Sequence, residues 1–125
     1  MAKILYIEDV EDNSTLVKKI ITARGHEFFG AKNAEEGLAA ALKIQPDLIL
    51  LDLGLPDIDG QTLAIWLRNE PTLRSIPIIV LTAWTEEVAR NTVIAYNLNS
   101  YVCKPFSQVQ LMKAINDALE QKNAN

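Results

Sequence analysis

Asp52 closes an apolar run, Leu48-Ile49-Leu50-Leu51, and the chain turns at once through Gly54-Leu55-Pro56. A carboxylate at the C-terminal end of an inner parallel strand lies where open α/β sheets bind their ligands. Three other apolar runs end in complementary chemistry. Glu8-Asp9 follows the first, Thr82 the fourth and Lys104-Pro105 the fifth. Carboxylates, a hydroxyl and an ammonium at these strand ends are the parts of a phosphoryl-transfer site.

These residues need strands to carry them, and the hydrophobic pattern supplies five. Strands are predicted over Lys3 to Ile7, Glu27 to Ala31, Leu48 to Leu51, Pro77 to Leu81 and Ser100 to Val102. Leu48 to Leu51 is apolar on both faces, as a buried parallel strand must be. Helical periodicity fills the intervals. The first helix spans Asn13 to Arg24, with Leu16, Val17, Ile20 and Ile21 on its apolar face and Gly25 as its stop. Asn33 and Glu36 resemble a capping box for a helix that reaches Ile44 before Pro46. A third helix follows Asp59-Gly60, with Leu63, Trp66 and Leu67 inward, and ends at Pro71. Thr85 caps a fourth, running to Tyr96. Ser107 and Gln110 box the fifth, marked by Leu111, Ile115 and Leu119, and the polar tail 121–125 is expected to fray. This (βα)5 alternation implies an α/β fold with a doubly wound, five-stranded parallel sheet.

The bulk numbers fit one ordinary domain. The chain has 125 residues, 49% of them hydrophobic, which suffices for a core. A net charge of -4 argues against direct nucleic-acid binding, which draws on a basic surface. The single cysteine, Cys103, suits a reducing compartment, and no apolar stretch approaches a membrane span or a signal peptide, so a cytoplasmic protein without membrane insertion is expected.

Glu8-Asp9, Asp52, Thr82 and Lys104-Pro105, each after a predicted strand, together resemble the receiver domain of two-component response regulators, the CheY-like family. Asp52-Leu53-Gly54-Leu55-Pro56-Asp57-Ile58-Asp59-Gly60 is similar to that family's phosphorylation loop. The resemblance covers essentially the whole chain and implies a flavodoxin-like strand order, 2-1-3-4-5. It implies one receiver domain over 1–125 without an output domain, signalling through another protein. Asp52 would be the phospho-acceptor. Asp9, Asp52 and the Gly54 backbone carbonyl would ligate a metal directly, and Glu8 through water. Crowded carboxylates call for a cation, and an all-oxygen donor set favours Mg²⁺ or Mn²⁺ over Zn²⁺. Lys104 would pair with the phosphoryl group, Thr82 would bond to it, and Tyr101 would act with Thr82 as the switch. The Lys104-Pro105 peptide would be cis. Glu8 departs from the commoner aspartate pair by one methylene.

The implied partners are a sensor histidine kinase or phosphotransfer protein, and a downstream protein on the face of the fourth helix, fifth strand and fifth helix. The implied state is a monomer or a phosphorylation-dependent dimer. The receiver is not an enzyme on external substrates. A flavin or nucleotide site is disfavoured, because Glu8 to Asn13 is acidic where a phosphate cradle needs glycines. An aspartyl phosphatase of the haloacid dehalogenase type needs Asp-x-Asp where this chain reads Glu8-Asp9-Val10. The intact Asp52, Thr82 and Lys104 argue against a receiver working as a binding module without phosphorylation, while Glu8 keeps that alternative open. Asp57 and Asp59 are read as turn and cap residues, Trp66 as core, Trp84 as either a partially exposed interaction residue or a cover over the site, His26 as a surface residue, Cys103 as a small buried hydrophobe and Asp52 itself as a surface carboxylate.

Overall fold

The computed structural model describes residues 1–124. Strands and helices alternate throughout: β1 (Lys3–Ile7), α1 (Glu11–Ala23), β2 (Glu27–Ala31), α2 (Ala34–Ile44), β3 (Leu48–Asp52), α3 (Gly60–Asn69), β4 (Ile78–Thr82), α4 (Glu86–Ala95), β5 (Ser100–Cys103) and α5 (Gln108–Ala124). The five strands are all parallel, in the order β2-β1-β3-β4-β5. Helices pack on both faces. The expected flavodoxin-like topology is therefore the observed one.

Alternation along the three inner strands builds two cores. Leu5, Ile7, Ile49, Leu51, Ile78 and Val80 face α2 and α3, where they meet Ala41, Leu63 and Leu67. Ile4, Tyr6, Leu48, Leu50, Ile79 and Leu81 face α1 and α5, where they meet Val17, Ile21, Leu111 and Ile115. Each fully buried Leu or Ile contributes about 1.5–3 kcal/mol relative to exposure. The strands are thus held rigidly, and the residues following them inherit that rigidity.

Local chemistry sets the helix ends. Asn33, Asp59 and Thr85 accept hydrogen bonds from the amides of Glu36, Thr62 and Val88 at the starts of α2, α3 and α4. Ser107 and Gln110 bond reciprocally, at 2.8 and 3.1 Å. The Asn33 box is offset, since Glu36 accepts from the Lys32 amide and not from that of Asn33. Gly25, at φ 83°, supplies the left-handed residue after α1.

Several expectations need correction. α1 starts at Glu11, ahead of Asn13, because Val10 already has an extended backbone and precedes the first helical turn. Leu16 is half exposed, since the sheet takes only Val17, Ile20 and Ile21 from α1. α5 runs to Ala124, and Asn125 lies outside the described residues. His26 is partly buried, and its Nδ1 accepts from the Ala2 amide at 3.0 Å. Burial, with the Met1 ammonium adding, lowers its pKa, consistent with a neutral acceptor.

Candidate functional site at the strand ends

The C-terminal ends of β1, β3, β4 and β5 meet on one rim of the sheet. Register brings Asp52 beside Leu81, and Thr82 beside Cys103. The Lys104 amide then donates to the Thr82 carbonyl at 2.7 Å, which sets the direction in which Lys104 leaves its strand. Its Nζ lies 2.6 Å from Asp52 Oδ2 and 3.5 Å from Glu8 Oε2. The Lys104-Pro105 peptide is cis.

Asp52 is held from two sides. Oδ1 accepts from the Gly54 amide at 2.7 Å, and Oδ2 accepts from Lys104. Its side chain is only 13% exposed, so it is not the surface carboxylate suggested by sequence; the end of β3 sits too deep in the rim. Burial works to raise its pKa, but is outweighed by the neighbouring Glu8 carboxyl and by the hydrogen bonds from Lys104 and the Gly54 amide, which hold the carboxyl below its ordinary value. Lys104 responds in the opposite sense. Burial would lower its pKa, yet the hydrogen bond to Asp52 holds it above the usual lysine value.

Glu8 is the most enclosed of the acidic residues, at 2% exposed. Oε1 accepts from the Val10 amide at 3.0 Å and Oε2 from the Tyr6 hydroxyl at 3.1 Å. Burial first, then the neighbouring Asp52 carboxyl, pushes the Glu8 carboxyl up to about 7. Burial, with the Glu8 charge adding, raises the Tyr6 phenol, so it is a donor at neutral pH. Asp9, by contrast, is exposed beyond the strand.

Thr82 is buried, and its Oγ1 accepts from the Trp84 amide at 3.0 Å, leaving the hydroxyl proton available. Trp84 is 39% exposed. Tyr101 is half-buried against the core on the α2 and α3 side of the sheet. Cys103 is half-buried too, and not the fully enclosed hydrophobe expected. It lines a cavity of about 410 Å³ with Glu86, Tyr101, Lys113 and Asp117, between α4, β5 and α5. A more apolar groove of about 460 Å³ lies on the other side of Lys104, lined by Leu16, Val17, Ala83, Pro105 and Phe106.

The ligands that the resemblance implies, the carboxylates of Asp9 and Asp52 and the Gly54 carbonyl, are all oxygens and would suit a hard divalent cation in kind. Burial of Glu8 beside Asp52 disfavours its negative charge, a cost that a nearby cation would lower. Among the described residues no three His, Cys, Asp or Glu side chains converge on one point.

The loop after Asp52 is tied down by residues with other duties. Asp59 caps α3, as expected. Asp57 does something the sequence did not disclose. Its two oxygens accept from the Ala34 and Glu35 amides at 2.9 and 3.1 Å, fastening the loop to the start of α2. Gly60 is required by space. A Cβ there would lie 2.6 Å from Leu53 Cα and 3.0 Å from the Asp52 carbonyl oxygen. Gly60→Ala should therefore lower stability by about 1–3 kcal/mol, measured by urea unfolding. The clashing Leu53 Cα and Asp52 carbonyl are main-chain atoms, which cannot rotate aside. Gly37→Ala should cost less, because its Cβ meets only the Ile7 side chain.

A family model described as the response regulator receiver domain matches residues 4–116. The chain is 32% identical over 116 residues to the polar-differentiation response regulator DivK of Brucella anthropi, covering 93% of this chain and 94% of that protein. It is similar in structure to the chemotaxis response regulator CheY4 of Vibrio cholerae, with a TM-score of 0.89 at 26% identity, covering 94% and 98% of the two chains. NtrX of Brucella abortus matches with a TM-score of 0.90 at 28% identity, covering 98% of this chain and 28% of that one.

Proposed function

The chain belongs to the response regulator receiver domain family of two-component signalling, and from that membership we propose that it takes a phosphoryl group onto Asp52 and signals by changing its protein-binding surface. The observation that carries this reading is the Asp52 carboxylate, fixed by the Gly54 amide on one oxygen and by Lys104 Nζ on the other. An Asp52 oxygen attacks the phosphorus of a phosphohistidine on a sensor kinase or phosphotransfer protein. The P–N bond breaks, its electron pair stays with the imidazole, and an acyl phosphate forms. Water later attacks the phosphorus, the P–O bond breaks, and inorganic phosphate leaves.

Asp9, Asp52 and the Gly54 carbonyl would hold Mg²⁺ or Mn²⁺, with Glu8 acting through water. When bound, the cation supplies positive charge against the carboxylates and the phosphoryl oxygens. Lys104 moves from the free carboxylate to a phosphoryl oxygen, and the Thr82 hydroxyl proton reaches another. Tyr101 then repacks, and the cavity beside Cys103 changes shape for a downstream protein on the α4, β5 and α5 face. The phosphodonor protein approaches over the apolar groove beside Lys104, near Leu16 and Phe106. A receiver of this kind acts in the cytoplasm, as a monomer or a phosphorylation-dependent dimer, and no described helix is long and apolar enough to cross a membrane. It does not act as an enzyme on external substrates and binds no nucleic acid directly.

Intact-protein mass after incubation with acetyl phosphate and Mg²⁺ tests the reading. One phosphoryl adduct should form, and a metal chelator should prevent it. No adduct on the folded protein, from acetyl phosphate or from a phosphorylated histidine kinase, would overturn the assignment.

A further inference from the structure

Tyr6 is fully buried among apolar side chains of β1, β3 and α1, and a phenylalanine would fill that space without a polar group. A buried hydroxyl costs free energy unless bonded. Here it is bonded to one group, and that group belongs to the rim: the Tyr6 hydroxyl donates to Glu8 Oε2 at 3.1 Å. Alternation along β1 places the two residues on the same side of the sheet, two positions apart. The Val10 amide holds the other Glu8 oxygen at 3.0 Å, and Lys104 Nζ lies 3.5 Å from Oε2. Glu8 carries a longer side chain than an aspartate, with one more rotatable bond to fix. Two donors, one from the core and one from the loop, fix it.

We propose that Tyr6 is a positioning residue of the strand-end site, whose hydroxyl sets the Glu8 carboxyl in the orientation from which it supports a divalent cation. This rests on the metal-dependent reading above. Tyr6 touches neither cation nor phosphoryl group. It acts through Glu8, as outer partners of metal-site residues commonly do.

The test is calorimetric titration with MgCl₂ alone, on wild type, Tyr6→Phe, Glu8→Gln and the double variant. Tyr6→Phe should weaken Mg²⁺ binding about tenfold, within the range found for lost outer-shell hydrogen bonds. In the Glu8→Gln background the same change should matter less than about twofold, because the carboxylate it acts upon is gone. Glu8→Asp, which withdraws the carboxyl from the hydroxyl, should likewise blunt the effect and serves if Glu8→Gln fails to fold. Wild-type affinity in Tyr6→Phe overturns the proposal. So does an equal tenfold loss with and without Glu8, which would mean that the hydroxyl acts through packing. If wild type takes the phosphoryl adduct while Tyr6→Phe keeps its affinity, only the Tyr6 role falls. If wild type neither binds Mg²⁺ nor takes the adduct, the functional reading falls with it.

Discussion

Asp52→Asn should take up no phosphoryl group from acetyl phosphate under conditions that label wild type completely. The amide has the shape of the carboxylate but no nucleophilic oxygen of comparable strength, so the acyl phosphate does not form. The fold should survive. Asparagine can still accept from the Gly54 amide through Oδ1, and Lys104 keeps the Glu8 carboxyl 3.5 Å away as an ionic partner. The change nevertheless reaches a partly buried ion pair, so the melting temperature should move by a few degrees, on the order of 1 kcal/mol. Intact mass reports the labelling, and circular dichroism on heating reports the fold. Labelling of the folded variant at wild-type yield would place the acceptor on another residue.

The second large effect is expected at the opposite rim. Arg68, near the C-terminus of α3, donates to the carbonyls of Asn97, Arg74 and Ile76 and to Asn99 Oδ1, at 2.8–3.1 Å. Asn99 Oδ1 also accepts from the Ile78 amide. One guanidinium thus ties together the α3-β4 connection, the α4-β5 connection and the start of β4. Burial lowers its pKa, yet the group has a donor for each of these acceptors. Arg68→Ala leaves those oxygens without their donor and should cost about 2–4 kcal/mol in urea unfolding. Arg68→Lys should recover only part, since an ammonium cannot reproduce the planar fork. A loss below about 0.5 kcal/mol would show that water replaces the guanidinium at little cost.

Most of the architecture was legible because it is local or periodic. β3 and β4 are apolar on both faces, and Asn33, Asp59, Thr85 and Ser107 announce helix starts by side chains that bond within the next turn. The gathering of Glu8, Asp52 and Lys104 was legible as well, since parallel strands deliver their ends to one rim. Contacts between distant segments were not. Asp57 reads like any turn aspartate, and its bonds to Ala34 and Glu35 depend on where α2 docks. Leu16 fits the helical stripe of α1, but it lines an open groove beside Pro105 and Phe106 and stays half exposed. The Tyr6 hydroxyl is a weak signal in the sequence: a polar atom on an inward residue of β1, two residues before an acid, calls for a partner on the same side.

The Asp52 rim and the Arg68 rim are separated by the length of β4, which at five residues is about 13 Å. Substitutions farther apart than about 7–10 Å usually act independently. Changes in partner choice around Asp52 and changes in cohesion around Arg68 therefore draw on separate reserves. A lineage carrying this sheet can gain tolerance at one rim in one generation and exchange its correspondents at the other in a later one.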